Sequence, residues 1–190
     1  MLTKLDLDGC TGVTDVSGLG QCKMLDYLYL YLCTGVADVS CLGQCKMLTT
    51  LTLNRCTGLM NVSGLGQCEM LIELHLWECT GVMDVSCLGQ CKKITTLYLN
   101  SCTGVTDVSC LGECKMLTYL NLRNCTGVTD VSGLGQCKKL TRLSLSNCSN
   151  LTNACDIELC EKLIERPHWL HGPAQRANRA HQNPTPCLYN

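Results

Sequence analysis

The sequence predicts an α/β-type solenoid dominated by β and turn or 3₁₀ structure, with a parallel concave sheet and a short, mostly non-helical convex side. Three observations lead there. A 23-residue unit recurs seven times, opening near Leu2, Leu25, Leu48, Leu71, Ile94, Leu117 and Leu140, and self-similarity at such a period marks a stacked repeat architecture. Apolar residues within the unit fall three apart, except for a single step of two. Glycines recur at positions 11 and 19, counted from the opening Leu or Ile.

Each part of the unit then has a physical reading. The step of two, between the leucines at positions 4 and 6, is strand periodicity, so one short strand per unit sends those two side chains inward and positions 3, 5 and 7 outward. The steps of three at positions 9, 12, 15, 18 and 21 fit tight turns or 3₁₀ segments. Glycine at position 11 is expected to supply a positive φ just after the strand, and glycine at 19 to keep the return path from becoming an α-helix. Asp or Asn at position 14 (Asp15, Asp38, Asp84, Asp107, Asp130) reads as the cap of a short 3₁₀ turn.

The pattern Leu-x-x-Leu-x-Leu-x-x-Cys resembles the leucine-rich repeat superfamily over about 160 residues of the chain. Cysteine at position 9 is similar to the cysteine-containing subfamily. The short return segment, Val13 to Leu19 in the first unit, resembles internalin-type repeats. The near-verbatim Cys-Thr-Gly-Val-Thr-Asp-Val-Ser-Gly-Leu-Gly also resembles repeat arrays of kinetoplastid parasites, of the expression-site-associated type. The resemblance implies a right-handed horseshoe whose concave face binds protein.

Composition narrows the function. Fifteen Lys+Arg against 16 Asp+Glu leave a net charge of −1, so no global attraction draws the chain to nucleic acid or an anionic membrane. No apolar run approaches the roughly 20 residues that span a bilayer, and the first residues carry no signal-peptide pattern. Fourteen of the 19 cysteines occupy positions 9 and 21. Two ladders of small buried thiols explain this better than disulfides or metal, because no Cys-x-x-Cys or zinc-type spacing occurs. Cys41, Cys87 and Cys110, at position 17, are expected on the outward convex side. A thiol-rich core suits a reducing compartment, cytoplasmic or nuclear.

The outward strand positions carry the functional signal. Six of the eight aromatics fall there, Tyr27, Tyr29, Tyr31, Trp77, Tyr98 and Tyr119, and none falls at a core position. Tyr and Trp dominate protein interfaces. The candidate partner-binding set is therefore Tyr27, Tyr29, Tyr31, Glu73, His75, Trp77, Tyr98, Tyr119 and Arg123, gripping an unidentified protein or peptide. No catalytic residue, metal site or cofactor is predicted: His75 has no nucleophile in view, and the ladder thiols lie in the wall. The alternatives are a surface or secreted internalin-like array and an inactive fragment of a longer repeat gene.

The ends depart from the pattern. Leu2, Leu5, Leu7, Val13, Val16 and Leu19 are expected to form an open apolar face, a route to self-association. The array is assigned to 1–165, with Leu159, Cys160, Leu163 and Ile164 as an imperfect cap. From 166 to 190 the repeat stops; this stretch holds all four prolines, three arginines and His168, His171 and His181, and reads as a disordered tail.

Overall fold

The computed structural model describes residues 1–154 and Ile157; the expected cap, the 166–190 tail and its three histidines lie outside the described residues. Seven three-residue strands, β1 (Lys4–Asp6), β2 (Tyr27–Tyr29), β3 (Thr50–Thr52), β4 (Glu73–His75), β5 (Thr96–Tyr98), β6 (Tyr119–Asn121) and β7 (Arg142–Ser144), form one parallel sheet in sequence order. Register is one repeat throughout: Lys4 lies opposite Tyr27, Glu73 opposite Thr96 and Tyr119 opposite Arg142. The return path of each repeat contains one five-residue 3₁₀ helix, from Ser17–Gln21 in the first to Ser132–Gln136 in the sixth. Among the described residues there is no α-helix, and no helix is long and apolar enough to cross a membrane.

The core is the inward set read from the unit. In repeats two to six, positions 1, 4, 6, 9, 12, 15, 18 and 21 are all buried, and the buried set contains no aromatic and no polar residue. Both thiol ladders lie in it. From the second repeat on, each position-9 thiol donates to the position-6 carbonyl one repeat back, as Cys79 Sγ does to Leu53 O at 2.9 Å. In repeats two to six the position-21 thiol donates to the position-18 carbonyl one repeat back, as Cys91 Sγ does to Leu65 O at 3.3 Å. A side chain the size of serine, yet apolar enough to bury, thereby ties successive coils together. Burial pushes the thiols of Cys56, Cys68, Cys91, Cys102, Cys114 and Cys125 up to about 12.

Three expectations need correction. Positive φ does not sit at position 11; it sits at position 8, in Gly9, Leu32, Arg55, Glu78, Ser101, Asn124 and Asn147. Non-glycine residues tolerate it because the N–H there is anchored to the next repeat's position-7 carbonyl, as in Arg55 N to Trp77 O at 2.6 Å, which offsets the cost of the left-handed conformation. Position 11 is glycine for another reason: a Cβ on Gly81 would stand 2.6 Å from Leu59 O, and one on Gly127 2.6 Å from Val105 O. Glycine at position 19 is likewise a close approach, with a Cβ on Gly66 2.8 Å from Cys87 O of the following repeat.

The position-17 cysteines do not point outward. Cys41, Cys87 and Cys110 are half-buried against the core and donate to Val16 O, Val62 O and Val85 O at 3.2, 3.3 and 3.2 Å. Each of these carbonyls already accepts the N–H three residues on, as Val62 O does from Leu65 N at 2.9 Å, and its second lone pair draws the thiol in. The open apolar face of the first repeat is also smaller than expected. Leu2 is exposed and Leu5, Leu7, Val13 and Leu19 are half-buried, but Val16 is only 5% exposed. The Cys41 side chain docks on its carbonyl.

The position-14 carboxylates do cap the 3₁₀ helices, one residue earlier than a formal N-cap. Asp15, Asp38, Asp84, Asp107 and Asp130 each accept the N–H of the serine two residues on, at 2.6–2.8 Å, and Asn61 does the same at 3.0 Å. For Asp38 and Asp84 these bonds to Ser40 and Ser86 hold the carboxyl below its usual range.

Candidate binding face

The strands are three residues long because only positions 3 to 5 pair fully on both sides, and their alternation fixes what faces out. The leucine at position 4 is buried in β2 to β7, while positions 3 and 5 are exposed or half-buried. The outward face of the sheet and the rim just after the strands carry the candidate residues, which resolve into three groups.

In the middle of the face, His75 stacks on Tyr98 with centroids 4.6 Å apart and planes 21° apart. Tyr98 meets Tyr119 at 4.8 Å, tilted by 42°. The Arg142 guanidinium lies 4.7 Å above the Tyr119 ring. Four side chains from β4 to β7 thus form one continuous row, set by the strand spacing of about 4.8 Å, which is also a favourable ring separation. Glu73 Oε2 lies 3.7 Å from His75 Nε2. Burial nevertheless dominates and lowers the His75 pKa, with Glu73 pulling the other way, so the imidazole is neutral at pH 7.

The second group lies along the rim after the strands. Arg55 Nε donates to Glu78 Oε2 at 2.7 Å, and its guanidinium sits 4.8 Å above the Trp77 ring. A hydrogen bond to Tyr31 adds to the carboxylate in raising the Arg55 pKa. Tyr31, Arg55, Trp77 and Glu78 form one cluster. The third group is at the first repeat, where Lys4 Nζ lies 5.1 Å from the Tyr29 ring centroid and Tyr27 is exposed.

Position 7 carries a further ladder. Asp8 Oδ1 accepts from Tyr31 N at 2.7 Å and Asn54 Oδ1 from Trp77 N at 2.8 Å. In the sixth repeat Arg123 N turns instead to Asn121 Oδ1 at 3.0 Å, leaving Asn100 Oδ1 buried without a partner.

Four residues outside the predicted set, Lys4, Arg55, Glu78 and Arg142, pack into these groups. Arg142 lies over the Tyr119 ring; the signal was available, since Tyr119 and Arg142 are register partners at position 3. Arg55 was missed because position 8 lies outside the outward set of 3, 5 and 7, although Arg55 and Glu78, of opposite charge, stand one repeat apart.

Among known proteins, one family model and one solved structure agree with this architecture. A family model described as leucine-rich repeats, in two copies, matches residues 115–158. The crystal structure of internalin C2 from Listeria monocytogenes is similar over 86% of this chain and 79% of its own, with 23% identity and a TM-score of 0.66. A second internalin of that bacterium covers 85% of this chain and 72% of its own, at 17% identity and a TM-score of 0.36. A leucine-rich repeat protein of Leptospira interrogans covers 77% and 55%, at 18% identity and a TM-score of 0.36. No curated protein matches the sequence.

Proposed function

We propose that this leucine-rich repeat array is a non-enzymatic interaction scaffold that grips a protein or peptide segment on its concave face. One observation carries the reading. All described aromatics except the stacked imidazole are Tyr27, Tyr29, Tyr98 and Tyr119 on the outward sheet face and Tyr31 and Trp77 on the rim beside it, with none in the core. Core packing does not need them there; large amphipathic side chains with low entropy cost are what an interface needs. The rings are also held in place before any partner arrives, by Arg55, Arg142 and Lys4, which lowers the cost of binding.

Chemistry in the wall argues against covalent catalysis. Burial holds the ladder thiols as the neutral form, and their protons are committed to carbonyls, whereas a nucleophilic cysteine needs its thiolate. The same commitment suits a reducing compartment, cytoplasmic or nuclear, where thiols persist. By this reading the array is the recognition or regulatory part of a larger intracellular protein.

The test pairs binding with stability. A partner recovered on the immobilised chain should bind the Tyr29→Ala, Trp77→Ala double variant about 2–4 kcal/mol more weakly, while the melting temperature stays within a degree or two. Unchanged affinity in a folded double variant would reject the concave face as the site.

A further inference from the structure

The β6–β7 end of the concave sheet differs chemically from the rest. At outward positions 3, 5 and 7 of the last three repeats the charged residues are Arg123 and Arg142, with no acid; both arginines are exposed. Tyr98 and Tyr119 cover one another's faces, so they show solvent their edges and hydroxyls. The Tyr119 oxygen already receives Asn121 Nδ2 at 3.5 Å and a hydrogen bond shared with Tyr98. A carboxylate beside Arg142 competes with Tyr98 for the Tyr119 proton. Arg142 lies against the same ring from the β7 side. This corner presents donors and positive charge and asks for an acceptor with negative charge.

Resting on the concave-face reading, we propose that this corner anchors the carboxylates of an acidic polypeptide segment, one on Arg142 and the Tyr119 hydroxyl and a second on Arg123. Arg142 is at position 3 of its repeat and Arg123 at position 7 of the one before. Four residues along the strand and one strand across separate their Cα atoms by about 14 Å, the reach of roughly four residues of extended chain. The two acids accordingly stand about four residues apart. Charge complementarity selects the occupant: the arginines pair with carboxylates in planar, two-point geometry. A single-stranded nucleic acid fits less well. Its bases need free ring faces, which mutual stacking has taken, and its phosphates would run past Glu73, Asp6 and Asp8.

The experiment is selection of a displayed random 12-residue peptide library on the full, reduced chain. Recovered peptides are then synthesised and measured by fluorescence anisotropy against the parent, Arg123→Gln, Arg142→Gln and Tyr119→Phe. The arginines are exposed and Phe keeps the ring stack, so melts should show all three variants folded. We expect enrichment of Asp or Glu pairs about four residues apart, weakened about tenfold or more by either arginine variant and less by Tyr119→Phe, with affinity falling as salt rises. Acid-free peptides that ignore both arginine variants but are lost with Tyr29→Ala and Trp77→Ala would overturn the carboxylate anchor and leave the concave-face reading standing. Peptides indifferent to all these substitutions, or no enrichment at all, would overturn both. Displacement of the peptides by an equimolar twelve-nucleotide oligo-dT would assign the arginines to phosphate and overturn the polypeptide occupant.

Discussion

Replacing Gly127 by alanine, with the same replacement at Gly12 as its control, isolates the contribution of repeat stacking. The eleven residues from Cys10 to Gly20 are identical to those from Cys125 to Gly135, and neither glycine has a positive φ. Local sequence and backbone preference therefore cancel. At Gly12 a new Cβ meets nothing within 4 Å; at Gly127 it would lie 2.6 Å from Val105 O and 2.8 Å from Thr103 O, both backbone atoms of the preceding repeat. A tolerable carbon–oxygen contact of about 3.3 Å requires the coils to part by roughly 0.7 Å there. Overpacking of this kind costs about 1–3 kcal/mol, against a gain of about 0.4–1 kcal/mol from the smaller freedom of the unfolded chain. Gly12→Ala should thus be neutral or slightly stabilising, and Gly127→Ala net destabilising. At about 2–4 °C per kcal/mol for a chain of this size, the two melting temperatures should differ by roughly 2–12 °C in circular dichroism melts. Equal melting temperatures, or a Gly127→Ala protein as stable as the parent, would mean that glycine at position 11 is not there for close stacking.

Other outcomes follow from the same geometry. Leu76→Ala, in a side chain with 0% exposure, should lose about 2–5 kcal/mol through a cavity, whereas Trp77→Ala next to it should leave the melt nearly unchanged; urea titrations of both report the difference. Asp84→Ala should cost about 1 kcal/mol by removing the acceptor for Ser86 N, while Asp84→Asn should behave like the parent, as Asn61 already does for Ser63; thermal melts of the two variants side by side decide it. Burial raises the ladder thiols from 9.0 to about 12 in Cys56, Cys102 and Cys125. Their folded pKa lies above the unfolded one, so the stability they confer is complete below about pH 9 and is lost as pH rises toward 12. Equilibrium unfolding should weaken over that window, and iodoacetamide at pH 8 should label these thiols only as fast as the native state opens.

Much of this molecule was legible before any coordinates. A position that stays Leu, Val or Cys in seven copies has to face the same place seven times, so the recurrent apolar set at positions 1, 4, 6, 9, 12, 15, 18 and 21 identified the core, the single step of two located each strand, and Asp at position 14 announced its cap. The aromatic face could be read as well, because Tyr27, Tyr98 and Tyr119 break the identity of the copies at positions the strand turns outward. What stacking settled lies between copies. The positive φ at position 8 is carried by Leu32, Arg55 and Glu78, residues whose own preference is against it, because their N–H groups bond the next coil. Gly81 and Gly127 are required by carbonyls one repeat back, Cys87 is drawn inward by Val62 O, and His75, Tyr98, Tyr119 and Arg142 become one row only at the register the sheet adopts. Each of these joins residues one or more coils apart, and such pairings depend on the distance between coils, a quantity that no single unit of the sequence contains.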